Sequence, residues 1–210
     1  METKVFNKNE LHLLANIAQK GGIIAFPTET VYGLGVIYDS NEAFKNLVKV
    51  KDRQADKPFT LMLAFTRDIA NYAEVDEKTN AIIDAFLPGE LTLILEVKEG
   101  LPEHVTLGSK YIGIRVSADY NVANLISLVG KPLLVPSANK RNEKPALTTD
   151  EVMEIFNGEI DGVLKGNTSS HIPSTIVKLS DKIELIREGS IPFNEILKVW
   201  EAANEDSNRK

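Results

Sequence analysis

From Phe26 to Gly35 the chain reads Phe-Pro-Thr-Glu-Thr-Val-Tyr-Gly-Leu-Gly, which crowds two threonine hydroxyls, a carboxylate and a phenol between a proline and two glycines. Such hydroxyls can hydrogen-bond a small polar ligand, and Glu29 has the chemistry of a general base. The apolar run from Gly21 to Ala25 just before them has the pattern of a buried strand. Pro27 lacks a backbone donor and fixes φ, so ladder pairing should stop there. Gly33 and Gly35 permit a backbone geometry or close approach that a side chain forbids. The stretch reads as a ligand loop.

Four more polar clusters fall at expected strand ends or adjoining turns: Lys51-Asp52-Arg53 with Lys57-Pro58, Gly113-Ile114-Arg115, Pro136-Ser137-Ala138-Asn139, and Pro173-Ser174-Thr175 with Arg187. Ligands of α/β sheets collect at such ends. Lysine offers a mobile point charge and arginine a planar, often bidentate fork, so the pair suits a phosphate or carboxylate. A solvated helix end whose cations complement the dipole gives the same pattern. Arg115 interrupts an apolar strand, Tyr-Ile-Gly-Ile-Arg-Val, and either faces solvent or points at an anion. Ser137 and Asn139 fit a ligand site or a plain turn.

Bulk properties remove several classes. The 210 residues carry a formal net charge of -6, which argues against indiscriminate nucleic-acid binding. Charge is uneven, however: between Lys45 and Lys57 five basic residues stand against Asp52 and Asp56. The absence of cysteine excludes disulfides and thiolate metal sites. His12, His104 and His171 have no metal-like spacing, and no protein-ligated metal is expected. The N-terminus lacks the apolar core of a secretory signal, and no run is long enough to span a bilayer, so a cytoplasmic location is expected. No Gly-Lys-Ser/Thr closes a phosphate loop and no dinucleotide fingerprint is present.

The elements that must position these residues alternate between helix and strand. Apolar spacing predicts helices over Asn9–Lys20, from Ser40 onward (Phe44 and Leu47 inward, Lys45 and Lys49 outward), and over Asp76–Leu87. Further helices are expected over Val122–Val129, Glu151–Phe156 and Phe193–Ala203. Strands are expected over Phe59–Phe65, Leu91–Val97, Tyr111–Val116, Leu133–Val135, Gly162–Leu164, Thr175–Leu179 and Ile183–Ile186. The expected architecture is one α/β domain over 1–210, with 204–210 a frayed tail. Several strands are joined by too few residues for a crossover helix, so a fully parallel sheet is not required.

Taken together, the motifs resemble the YrdC family, the threonylcarbamoyl-AMP synthases of the TsaC type. The pieces are Pro-Thr-Glu-Thr-Val-Tyr-Gly-Leu-Gly, Lys51-x-Arg53-x-x-x-Lys57-Pro58, Pro88-Gly89-x-Leu-Thr, Gly113-Ile-Arg115, Pro136-Ser-Ala-Asn139, Ser174-Thr-Ile-Val and Ile186-Arg187-x-Gly189. They occur in the family's order and approximate spacing from Gly21 to about Gly189.

The resemblance implies an open, twisted, mixed α/β sheet flanked by helices, with a concave basic cavity. It implies a nucleotidyltransferase that makes threonylcarbamoyl-AMP, pyrophosphate and water from L-threonine, bicarbonate and ATP, magnesium entering with the nucleotide. Other proteins would pass the threonylcarbamoyl group to an adenosine of tRNA, and direct tRNA contact would be weak. Lys51, Arg53, Ser137 and Asn139 would form the catalytic centre. Thr30, Arg115, Ser174 and the backbone at Val135 would hold threonine, with Arg53, Lys57, Ser137 and Arg187 on ATP. This sequence departs from the family at Lys140-Arg141-Asn142, at Val116-Ser117 and at Met62, where many relatives place a histidine. Two other readings compete: a non-enzymatic RNA-binding module on the same fold, and a YciO-like paralogue without synthase activity.

Overall fold

Leu11, Leu14, Ala15 and Ala18 recur at helical spacing, and helix α1 (Leu11–Gln19) buries all four. Gly21, at φ +84°, turns the chain out of it. Other helices begin at side-chain caps. Ser40 accepts from the Ala43 amide at the start of α2 (Asn41–Val50), and Asp76 from the Thr79 amide at the start of α3 (Glu77–Phe86). Asp119 caps α5 (Tyr120–Val129), and Thr148 with Glu151 forms a reciprocal capping box on α6 (Thr149–Phe156). A short α4 (Glu103–Thr106) and a long α7 (Phe193–Ser207) complete the α-helices among the described residues, 2–52 and 58–207 of this computed structural model.

Among the described residues ten strands form the sheet: β1 (Lys4–Phe6), β2 (Ile24–Phe26), β3 (Gly33–Ile37), β4 (Leu61–Leu63), β5 (Leu91–Glu96), β6 (Tyr111–Val116), β7 (Leu133–Leu134), β8 (Gly162–Leu164), β9 (Thr175–Leu179) and β10 (Ile183–Arg187). Their order is β1-β8-β2-β3-β7-β4-β6-β5-β9-β10. The pairs β1–β8, β8–β2, β4–β6 and β5–β9 are parallel and the other neighbours antiparallel, so the sheet is mixed.

Side-chain alternation sends each strand to two cores. Ile24 and Phe26 belong to the core that holds Leu14 of α1 and Leu125 of α5, whereas Ala25 between them belongs to the opposite core, which holds Leu47 of α2, Phe156 of α6 and Trp200 of α7. Each fully buried leucine contributes roughly 1.5–3 kcal/mol relative to an exposed one. That two-sided burial explains why β3, Gly-Leu-Gly-Val-Ile, escapes the sequence reading: it has no polar face to alternate. It is a strand, paired antiparallel with β2, rather than the end of a loop. The edge strand β1 is also unforeseen.

Two further expectations are corrected. β2 ends at Phe26, one residue beyond the expected Ala25 and directly before Pro27. The last helix, expected to end at Ala203, continues in α7 through Ser207. Ala202 and Ala203 are strong helix formers and nothing in Asn204-Glu-Asp-Ser breaks a helix.

Candidate active site

Period-two alternation places a row of side chains on one face of the central strands, and they floor a cavity of about 150 Å³. Met62 of β4 stands in register with Arg115 of β6, and Thr92 of β5 with Ile176 of β9. Thr28 and Val31 of the β2–β3 loop, Val135, Ser137, Ser174 and Arg187 wall it. Its floor is therefore built from strand interiors as well as from the strand ends. Two close approaches shape it. A Cβ on Gly33 would lie 2.6 Å from Val135 Cγ1, and one on Gly189 would lie 2.0 Å from the Pro173 carbonyl oxygen.

Arg115 does not face solvent. It is buried, and its Nη2 donates to Glu29 Oε1 at 2.8 Å and to Thr30 Oγ1 at 2.9 Å. The second Glu29 oxygen accepts the Ser117 hydroxyl. With both oxygens engaged, Glu29 serves as the counter-ion of Arg115, and the free general base suggested by its residue type is not what the fold builds. Nε of Arg115 is buried without a partner, and Nη1 makes no hydrogen bond within the described residues.

Thr30 is fully buried beneath Arg115 and contributes no surface to the cavity wall. Its hydroxyl lies 3.0 Å from that of Thr28, which accepts from the Thr30 amide and donates to the Val31 carbonyl at 2.7 Å. Thr30 thus supports the arginine, and Thr28 faces the cavity.

Across the cavity, Arg187 donates to the Ser174 carbonyl from Nη2 at 2.8 Å and from Nε at 3.3 Å. The Ser174 hydroxyl is 2.9 Å from that of Thr92. Partial burial lowers the proton affinity of Arg187, and the like charge of Arg115 lowers it further. The two guanidiniums are the charged side chains among the described lining residues.

A second cluster adjoins the first through Ser137. The buried Lys51 Nζ donates to the Ser137 carbonyl at 2.6 Å, the Asn139 carbonyl at 2.5 Å and Asn139 Oδ1 at 2.9 Å. Ser137 Oγ donates to the same Oδ1 at 2.6 Å. An ammonium has three protons, and these three acceptors use them. Asn139 Nδ2 in turn donates to the Lys140 and Glu143 carbonyls, which fixes the following loop. Lys140 reaches the Val50 carbonyl and Glu159, so the departure at Lys140-Arg141-Asn142 is anchored to the end of α2.

The structure therefore joins Arg115, Val135, Ser137, Ser174 and Arg187 around one cavity, leaves Thr30 behind Arg115 rather than on the wall, and brings Lys51 and Asn139 against the Ser137 wall. Arg53 and Lys57 lie outside the described residues. Sequence reasoning gave no role to Thr92 or Ser117, or to Thr60 on the wall. Thr92 carried the signal that marked Arg115, a polar residue inside an apolar strand. Ser117 registered only as a departure. Among the described residues no group of three or more His, Asp or Glu side chains is placed to hold a metal ion.

Known proteins resemble this chain in sequence and in fold. The family profile Sua5_yciO_yrdC, described as "Telomere recombination", matches residues 16–189. The chain belongs to the Sua5/YciO/YrdC family. It is 33% identical over 193 residues to a threonylcarbamoyl-AMP synthase of Pyrococcus abyssi, covering 90% of this chain and 57% of that protein. A Methanocaldococcus jannaschii relative, provisionally given the same name, is 34% identical over 201 residues and is covered to 95% of its length. The crystal structure of P. abyssi Sua5 complexed with L-threonine superposes with a TM-score of 0.89 at 32% identity, over 94% of this chain and 61% of that one. The chain thus spans about three fifths of the P. abyssi sequence and structure. The family's α/β sheet with flanking helices is the fold seen here.

Proposed function

We propose that this family member is a threonylcarbamoyl-AMP synthase, and the arrangement of Arg115, Ser174 and Arg187 around one small cavity carries that reading. A space of about 150 Å³ suits an amino acid and is well below the 300 Å³ or more of drug-sized ligand pockets. A carboxylate fits its two guanidiniums, and the hydroxyls of Thr28, Thr92 and Ser174 suit an amine or alcohol. The relatives named threonylcarbamoyl-AMP synthase and the solved Sua5–threonine complex support threonine as the occupant.

ATP is too large for this cavity and would lie across its mouth, with Arg187 and Ser137 at the boundary. The threonine amine attacks the bicarbonate carbon, losing water, and gives a carbamate. The carbamate oxygen then attacks the α-phosphorus of ATP, the α–β phosphoanhydride bond breaks, and pyrophosphate leaves. The protein's work is electrostatic and positional, with no covalent intermediate. Magnesium belongs to the nucleotide, held by phosphate oxygens and water. Lys51 acts through Ser137 and Asn139, since its protons are committed to them. Arg53 and Lys57 would add charge over the triphosphate. The product would pass to proteins that modify tRNA.

No helix of the described residues is long and apolar enough to cross a membrane. A cytoplasmic site of action is a separate part of this proposal. The test is pyrophosphate release from purified protein given ATP, magnesium, bicarbonate and threonine. Release should require both threonine and bicarbonate. A protein with salt-sensitive RNA affinity and no such turnover would be the RNA-binding module, and one inactive in both respects the YciO-like paralogue.

A further inference from the structure

Glu29 lies beside the cavity yet has no part in the chemistry above. It is also well fixed. Its side chain is 13% exposed, one oxygen takes Arg115 Nη2, and the other takes the Ser117 hydroxyl. Ser117 Oγ accepts from the Asp119 amide at 3.2 Å, so its single proton is free to go to Glu29. Glu29 is thereby tied to the start of α5 as well as to β6.

The hydrogen inventory of Arg115 gives this tie a consequence. Nη2 has two protons, and Glu29 and Thr30 take both. Nε is sealed from solvent. Nη1 is left as the nitrogen with protons to offer a ligand. A guanidinium released from Glu29 could turn about its terminal bonds and present another edge.

Resting on the threonine reading, we propose that Glu29 is a positioning residue for amino-acid recognition, which with Ser117 holds Arg115 so that Nη1 meets the substrate carboxylate. It touches neither substrate. Its effect is confined to the amino-acid half of the site, because Arg187, Ser137 and Lys51 are held by other partners.

The experiment uses the full chain carrying Glu29→Ala, Glu29→Gln or Ser117→Ala, with KM measured separately for threonine and ATP by pyrophosphate release. Glu29→Ala should raise the threonine KM at least about tenfold, the size of one charged hydrogen bond, and leave the ATP KM within about twofold. Glu29→Gln should recover most of the loss, since its amide oxygen can still accept from Nη2 and its NH2 can donate to Ser117. Ser117→Ala removes no charge and should raise the threonine KM about threefold. A merely structural ion pair would instead move both KM values together, or lower only kcat and thermal stability, and either result overturns the proposal. Should Glu29→Ala fail to fold, an unchanged threonine KM in folded Ser117→Ala overturns it equally. A wild-type protein with no threonine-dependent release contradicts the synthase reading. An active wild type whose variants shift both KM values in parallel contradicts this inference alone.

Discussion

Arg115 and Lys51 are buried cations that the fold uses in opposite ways. Arg115 keeps one nitrogen for a ligand, whereas Lys51 has committed its protons to the chain. Arg115→Ala should therefore cost about 1.5–3 kcal/mol of threonine binding, seen as a ten- to hundredfold rise in its KM or dissociation constant. It also leaves Glu29 without its counter-ion, so thermal stability should fall. Lys51→Met should lower kcat, and its loss should not add to that of Asn139→Ala, because each breaks the same hydrogen-bonded unit. Additive losses in the double variant would show that Lys51 acts on the phosphates directly. The type and place of both residues were legible in the sequence, since a charge amid apolar strand residues and a Lys-x-Arg pair are visible there. Whether Arg115 pointed in or out depended on its partner Glu29, 86 residues away.

At the scale of elements, the site depends on backbones that approach more closely than side chains allow. Gly189 follows β10 and lies against the Pro173–Ser174 backbone, the segment that holds Arg187. Gly189→Ala forces that contact apart, at about 1–3 kcal/mol. The melting temperature should drop by roughly 2–4 °C per kcal/mol for a chain of this size, and threonine affinity should fall with it. A stable variant with normal threonine KM would show that the Ser174 segment tolerates the shift. Most helices and strands were legible because caps and apolar spacing are local signals. Strand β3 was not, since Gly33-Leu-Gly-Val-Ile is buried on both faces and its composition resembles a loop. The cavity floor was only partly legible for a related reason: the register of Met62 against Arg115 joins segments distant in sequence.

For the molecule as a whole, one buried phenol links stability to pH. Tyr32 bonds the Leu164 and Gly166 carbonyls and Thr149, tying the site loop to β8 and α6. Burial is the main reason its pKa is pushed up to about 12, from an ordinary value near 10. The folded state therefore keeps this proton over a range where the unfolded chain has lost it. Tyr32's contribution is complete below about pH 10 and is lost as pH rises toward about 12. Tyr32→Phe should be less stable at neutral pH and should lose less stability between those limits, as urea denaturation at several pH values would reveal. The central claim concerns where the product's carbonyl carbon comes from, and mass spectrometry of the adenylate formed with ¹³C-bicarbonate tests it most directly. A threonine-containing adenylate that carries the label is the predicted result. An unlabelled threonyl-adenylate, or no adenylate, would contradict the account.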